Sequence, residues 1–429
     1  MSQTEPSEAA GLPARAAALE LLTAALSRRA GLDEGLSHPA LAALAPRDRA
    51  FARALVMATL RRLGPIDQVL QERVHKAPPD RVVQILRLGT AQLFVLKTPA
   101  HAGVSSAVDL AQSNTQSQAF KGLVNAVLRA LTREPPSLDD PDRLAPPWLY
   151  ARWQAAFGLQ SAREIAALIA EEPATDLSLK SPDRAAELAA AVEGELLPGG
   201  SVRTSRRGDV ATWPEFADGG WWVQDAAAAI PARLLGVQAG ETALDLCAAP
   251  GGKTLQLASA GAKVTAVDRS APRLKRLAEN LARTGLSAEM VTADGAEWRD
   301  GRTFDAVLLD APCSATGTFR RHPDVLWAAK PGDVASLAAV QSRLLDAAAL
   351  RVKPGGRLVY CVCSLEPEEG EAQVTAFLQR FQGFAIEPVE SGEGGSPEAS
   401  RRPDGTLRIL PHHRPGGLDG FYVARLKRS

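Results

Sequence analysis

The sequence predicts an α/β protein: a doubly wound, mainly parallel sheet over 231–429, preceded by an all-helical domain over 1–140 and a small mixed α/β subdomain over 145–230. Three observations predict it. From Ala239 onward, apolar runs of strand length alternate with helical stretches, the pattern of a parallel sheet with crossover helices. Residues 15–132 keep helical spacing with nothing strand-like between. Between them, 134–147 exchange apolar periodicity for prolines and acids, the composition of a linker.

The length of 429 residues suits two or three domains, each able to bury a core. Lys+Arg and Asp+Glu are both 49, so net charge neither argues for nor excludes a nucleic-acid partner, and any basic surface has to be local. Residues 1–140 carry 16 basic against 13 acidic residues, a slight basic lean. The acidic start Met1-Ser-Gln-Thr-Glu5 has neither the basic nor the apolar region of a secretion signal, and no apolar run reaches membrane-spanning length. A monomeric cytoplasmic protein with no membrane partner is expected. Cys247, Cys313, Cys361 and Cys363 cluster in motif segments and read as free thiols.

In chain order, 1–13 read as a loose tail. Helical spacing follows, as in Ala18, Leu21, Leu22 and Leu26, or Leu86, Leu88, Leu93 and Leu96. Gly64-Pro65, Pro78-Pro79 and Pro99 break the runs, giving five to seven helices. Arg47, Arg49, Arg53, Arg61 and Arg62 read as a solvated helix face ahead of a basic stripe. His38, His75 and His101 lack ligand spacing. A helical pattern over 148–172, a strand over 176–181, a helix over 185–195 and a turn-rich approach over 208–225 make the small subdomain, with Trp221 and Trp222 as core. Strands are then expected at 242–247, 263–268, 288–294, 304–310 and 356–363, a helix at 333–352, and antiparallel edge strands at 384–389, 406–410 and 420–426. Ligands of such a sheet sit outside the carboxyl ends of its strands, where the polar residues fall.

The stretch Asp245-Leu-Cys-Ala-Ala-Pro-Gly-Gly-Lys-Thr254 joins a strand to a glycine turn and a helix. A phosphate-binding P-loop needs glycine where Cys247 stands, and no dinucleotide fingerprint is present. What remains is a flexible turn at a helix N-terminus, whose N–H groups and positive dipole end favour a carboxylate. Asp268, ending the second strand, can accept both hydroxyls of a ribose, and Asp294, ending the third, an adenine amine. Together the turn at Gly251 and Gly252, Asp268 and Asp294 suggest S-adenosylmethionine.

In Asp310-Ala-Pro-Cys313 an acid and a thiol end a strand; in Tyr360-Cys-Val-Cys363-Ser364 the period of two sets Cys361 and Cys363 on one face, with Cys363 nearer the ligand crevice. Cys361 reads as a buried apolar residue. Two thiols near a methyl donor suggest thiolate attack on C6 of a pyrimidine, which pushes electrons to the weakly nucleophilic C5. Asp310 can bond N3 or the exocyclic amine of cytosine and stabilise the developing charge. A metal site is disfavoured: there is no C-x-x-C pair and no histidine partner.

These motifs, with the acids Glu366, Glu368 and Glu369, resemble the RNA 5-methylcytosine methyltransferases, and more closely the bacterial 16S ribosomal RNA branch called the Sun or Fmu group. The helical domain is similar to the RNA-binding antitermination factor N-utilisation-substance B. The resemblance implies a Rossmann-like methyltransferase sheet, an RNA substrate, Cys363 as nucleophile, Cys313 as the thiol assisting release, and an S-adenosylmethionine site lined by Cys247, Ala248, Ala249, Pro250, Gly251, Gly252, Lys253, Asp268, Asp294 and Asp310. Arg320-Arg321-His322-Pro323 also matches and implies contact with the RNA backbone. Val362 stands where the family usually has Thr or Ser, and Asp176-Leu-Ser-Leu-Lys180 where it commonly has an Arg-x-Asn strand. Transfer RNA is the alternative substrate, and a non-catalytic RNA-binding module the alternative class.

Overall fold

The computed structural model describes residues 11–27 and 39–429. Most of the expected tail and His38 lie outside the described residues; helix α1 (Leu12–Ser27) already opens inside the last two tail positions. The chain forms two compact units, one made of Met1–Glu172 and Phe319–Ala329, the other of Pro173–Thr318 and Lys330–Ser429. Of the expected 145–230 subdomain, the helical stretch over 148–172 falls in the first unit, while the strands and the second helix, which ends at Ala191 short of the expected 195, fall in the second.

The first unit is helical among its described residues: α2 (Pro46–Arg61), α3 (Leu63–Gln71), α4 (Asp80–Phe94), α5 (Ala100–Gln112), α6 (Lys121–Arg133), α7 (Pro147–Phe157) and α8 (Leu159–Ala167). Leucine, valine and alanine stripes of α1 to α6 share one buried core. The expected helical run over 148–172 is two helices because Gly158, at φ 85°, breaks it. Arg47, Arg49 and Arg53 are exposed, but Arg61 is buried and donates to the carbonyls of Ile169 at 3.1 Å and Arg320 at 2.6 Å. Arg61 therefore leaves the predicted exposed face, because its guanidinium caps backbone that the chain brings back at Phe319–Ala329. In that returning segment Phe319 packs on Trp153 with ring centroids 5.9 Å apart, and the Trp327 indole donates to Leu60 O at 3.1 Å. Arg320 is buried there, in place of the exposed position that a contact with the RNA backbone implied.

The second unit carries two sheets. The smaller has the order β2-β3-β1-β4, from β1 (Thr175–Leu179), helix α9 (Ala185–Ala191), β2 (Glu195–Leu196), β3 (Val202–Thr204) and β4 (Trp221–Val223), all antiparallel. Trp221 and Trp222 are core, as predicted. Asp176 and Arg203 form a buried pair at 2.7 Å; Asp176 also accepts from Ala226 N, and Arg203 donates to Gly417 O. Asp176, which opens the segment in place of the usual Arg-x-Asn strand, is thus an internal strut.

The larger sheet follows α10 (Ala226–Leu235) and contains β5 (Thr242–Leu246), α11 (Gly252–Ser259), β6 (Lys263–Asp268), α12 (Ala271–Thr284), β7 (Glu289–Thr292), β8 (Phe304–Asp310), α13 (Pro331–Ala349), β9 (Val352–Val362), α14 (Glu371–Arg380), β10 (Phe384–Ile386), β11 (Leu407–Ile409) and β12 (Phe421–Arg428). Its order is β10-β12-β9-β8-β5-β6-β7, with β11 also on β12. Strands β5 to β9 are parallel and the last three antiparallel, as expected, but β12 is not an edge strand: it pairs with β9 on one side and with β10 and β11 on the other. The strand order reverses between β5 and β8, so ligands belong at their carboxyl ends. Central β5 is buried on both faces, which is why it reads as a nearly continuous apolar run.

Helix α12 shows how sequence sets these elements. Ser270 caps the N-terminus through Arg273 N, Pro272 fits the first turn, and Gly285 at φ 62° ends the helix. Leu274, Leu277 and Leu281 bury one face, each worth about 1.5–3 kcal/mol. Leu277→Ala, at the centre of that stripe, is the change that would weaken it most, by about 2–5 kcal/mol. Strand β9 starts earlier than the predicted 356 because a bulge around Gly355 and Gly356 lets Val352 pair with Phe304 before the ladder resumes at Arg357. No described helix is long and apolar enough to cross a membrane.

Candidate active site at the carboxyl ends of the parallel strands

Past the end of β5 the chain turns sharply. Cys247 has φ 61° and Gly251 φ 111°, and α11 starts at Gly252. A Cβ on Gly251 would stand 2.3 Å from Leu277 Cδ1, so this position admits only glycine without displacement of α12. Asp268, the last residue of β6, is buried and braces the turn: Oδ2 accepts from Ala249 N at 3.1 Å and Oδ1 from Ser270 N at 2.8 Å. Each oxygen keeps a second lone pair. Arg273 donates to Ala249 O and lies 3.7 Å from Asp268. These groups suit an adenosyl moiety bearing an amino acid: first-turn N–H groups of α11 to donate to a carboxylate, and Asp268 to accept from ribose hydroxyls.

Asp294 differs from its expected place. Strand β7 stops at Thr292, and Asp294 lies two residues beyond, exposed, with Oδ1 accepting from Ala296 N at 2.9 Å. It starts a turn in place of ending a strand, because 288–294 is an edge whose polar end leaves the ladder.

Below the turn, Asp245 is fully buried; Thr254 Oγ1 donates to Oδ2 at 2.6 Å, while Oδ1 has no partner among the described residues. Burial pushes its carboxyl up to about 7, against the Thr254 bond and with help from Asp310 and Asp268. Cys247 is likewise raised, by burial and by the nearby aspartates.

The second half of the edge is built by β8 and β9, in which Asp310 pairs with Cys361. Cys313 and Cys363 each lie just past a strand end, and their Sγ atoms are 3.5 Å apart. Cys313 is held well above the usual thiol range by its bond to Cys363, by burial and by the charge of Glu369. Cys361 is fully buried in the core, as predicted, with Sγ donating to Asp310 Oδ1 at 3.4 Å. The Lys253 backbone belongs to the glycine turn, but its ammonium crosses to Asp310 Oδ2 at 2.7 Å and lies 5.3 Å from the Phe421 ring centre. Burial alone would lower Lys253; the Asp310 carboxylate outweighs it and holds the amine above its ordinary value.

Sequence reasoning missed one assembly entirely. Glu369, fully buried, accepts from Ser314 N at 2.9 Å, from the hydroxyls of Ser314 and Ser364 at 2.5 Å each, and from Gln341 Nε2 at 3.0 Å. The signal present was its place in the acidic run after Ser364, which reads equally well as a surface stretch.

A family model described as 16S rRNA methyltransferase RsmB/F matches residues 232–427, and one described as NusB family matches 12–133. The ribosomal RNA small subunit methyltransferase B of Sodalis glossinidius is 38% identical over 424 residues, covering 92% of this chain and 94% of its own. The protein of that name from Pseudomonas syringae pv. tomato is 38% identical over 436 residues, 96% of each. Among solved structures, the crystal structure of PH0851 aligns over 100% of both chains with TM-score 0.80 at 23% identity. NSun6 from Pyrococcus horikoshii with SFG covers 66% of this chain and 98% of its own, with TM-score 0.57 at 19% identity. These two likenesses show a common Rossmann-like fold. The identity to the curated relatives, sustained over nearly the whole chain, shows that this protein belongs to the ribosomal RNA small subunit methyltransferase B family.

Proposed function

We propose that the carboxyl edge of the large sheet methylates C5 of a cytosine in 16S ribosomal RNA through a covalent bond between Cys363 and C6 of the ring. Family membership makes the chain an RNA methyltransferase that uses S-adenosylmethionine. The observation that carries the covalent route is the 3.5 Å between the Cys313 and Cys363 sulfurs at the ends of adjacent parallel strands, beside Asp310.

When bound, S-adenosylmethionine supplies a methyl group on a sulfonium. Cys247, Ala248, Ala249, Pro250, Gly251, Gly252 and the backbone of Lys253 form the turn that would hold it. Asp268 would take the ribose hydroxyls and Asp294 the adenine amine. The Lys253 ammonium serves the base: it neutralises Asp310, which accepts from the exocyclic amine of cytosine, and it offsets negative charge arising on the ring. Cys363 thiolate adds to C6, forming the S–C6 bond, and the C5=C6 electron pair makes C5 the nucleophile that takes the methyl group. The C5 proton then leaves to water, its electron pair re-forms C5=C6, and the S–C6 bond breaks to return the thiolate. Cys313, a protonated thiol beside the departing sulfur, donates a hydrogen bond to it and assists release.

In this reading 1–140 engages RNA, 145–230 links, and 231–429 catalyses; the chain works as a cytoplasmic monomer. Bisulfite sequencing of ribosomal and transfer RNA from a deletion strain tests the substrate. Loss of one protected cytosine in 16S RNA is expected, whereas a loss confined to transfer RNA would overturn it. Calorimetry that found no S-adenosylmethionine binding would favour a non-catalytic RNA-binding module.

A further inference from the structure

The residues directly after the two thiols, Ser314 and Ser364, meet on one carboxylate. We infer that Glu369 is a positioning residue that fixes the Cys313 loop against the Cys363 loop, and that release of methylated RNA from Cys363 depends on it. The inference rests on the roles proposed above for the two cysteines.

The geometry is specific. Oε1 of Glu369 accepts from Ser314 N at 2.9 Å and Gln341 Nε2 at 3.0 Å, and Oε2 accepts from Ser314 Oγ and Ser364 Oγ at 2.5 Å each. The hydroxyls are themselves 3.1 Å apart. Gln341 Nε2 also donates to Pro312 O at 2.9 Å, so the Cys313 loop is held on both sides of the thiol. The Cys363 loop is held from the other direction, with Gly317 N donating to Cys363 O at 3.0 Å and Arg408 Nη1 to Ser364 O at 2.6 Å. Glu369 is fixed in turn, since the Tyr360 hydroxyl donates to its carbonyl at 2.6 Å. An acceptor with four donors converging on it, wholly buried, has no tolerance for displacement.

The consequence is a division of labour. Addition to C6 needs one thiolate, whereas release needs the second thiol within reach of the first. Loosening the Glu369 anchor lets the Cys313 loop drift, and a displacement near 1 Å can cost about a hundredfold in a step that needs alignment. Addition by Cys363, whose loop keeps its other anchors, suffers less.

Two substitutions separate geometry from general damage. Glu369→Ala removes the acceptor on which four donors converge; Gln341 Nε2 keeps Pro312 O and the two hydroxyls find acceptors only in each other and Thr316, so no hydrogen bond among the described residues joins the Ser314 N–H to the Cys363 loop. Glu369→Gln keeps Oε1 for the two N–H donors, and its amide nitrogen can donate to the serine hydroxyls, which rotate to accept. The charge goes, but the loops stay joined.

The test is single-turnover reaction of wild type, Glu369→Ala, Glu369→Gln, Cys313→Ala and Cys363→Ala with unmodified RNA transcript and S-adenosylmethionine, reading covalent enzyme–RNA on denaturing gels alongside released 5-methylcytosine. Cofactor calorimetry on each variant confirms folding. Glu369→Ala and Cys313→Ala are both expected to accumulate adduct, with release slowed by roughly a hundredfold in Glu369→Ala, and Glu369→Gln to release within about threefold of wild type. If Glu369→Ala binds cofactor but loses adduct and product in proportion, or releases like wild type, the inference is overturned while the cysteine roles stand. If it binds no cofactor, Glu369→Gln decides: adduct accumulation there contradicts the geometric role, and normal release upholds it. Adduct persisting in Cys363→Ala would overturn the cysteine roles themselves.

Discussion

The two halves of the proposed catalytic edge solve different problems with different parts of the chain. Along β5 to β7, where the cofactor would lie, the work falls to the backbone: a turn at Cys247 to Gly252, a helix N-terminus, and Asp268 holding both. Along β8 and β9, it falls to side chains, two thiols, an acid and a lysine, held by a buried network. A methyl donor is recognised as a whole shape and needs a cradle, while the base must meet reacting atoms at fixed distances. The difference teaches that the first half should be sensitive to added bulk and the second to lost functional groups.

The largest expected effect lies in the second half. Cys363→Ala should cut methylation by a factor on the order of 10⁴ or more and leave cofactor affinity unchanged, measured by tritiated-methyl transfer and calorimetry. Next is Lys253→Met, which strips Asp310 of its partner: turnover should fall roughly a hundredfold, with cofactor affinity within about threefold. A large loss of affinity instead would return the lysine side chain to the cofactor half.

Gly251→Ala probes the first half. The added methyl meets Leu277 at a backbone angle unsuited to alanine, so affinity for S-adenosylmethionine should drop by about tenfold or more, through strain of about 1–3 kcal/mol. Asp245 offers a pH test of the same half. Its unfolded carboxyl titrates near 3.8 and the folded one near 7, so the folded chain holds the extra proton between these values. That contribution is complete below about pH 4 and is lost as pH rises through 7. Wild type should therefore lose stability relative to Asp245→Asn across pH 4 to 7, on the order of a few kcal/mol, in denaturant titrations. A flat difference would place the carboxyl in water. Smallest is Asp294→Ala: exposed and already capping a turn, it should weaken cofactor binding only about two- to threefold by calorimetry.

What was legible in sequence follows the same division. The glycine turn, the acid at Asp268 and the two thiols could be read because each announces its chemistry within a few residues. Parallel alternation fixed the sheet, and strand-end positions brought Asp310, Cys313 and Cys363 to one edge. The fate of long side chains could not be read. Lys253 sits in a cofactor motif yet spans to Asp310, 57 residues on. Glu369 lies in an acidic run that looks solvated, and only the β8–β9 pairing turns it inward between two loops. Arg61 and Arg320 looked like surface charges, because nothing local signals that Phe319–Ala329 rejoins the helical unit. Asp294 was misplaced for a simpler reason: an edge strand ends where its polar residues leave the ladder.

The central claim is that Cys363, and not Cys313, bonds to the base. RNA carrying 5-fluorocytosine at the target has no C5 proton to lose, so the adduct persists. Trypsin then separates the two candidates, because Cys313 lies in the peptide 303–320 and Cys363 in 358–380. Mass spectrometry should find the nucleotide on 358–380, with fragmentation assigning it to Cys363 over Cys361. A nucleotide on 303–320 would contradict the account.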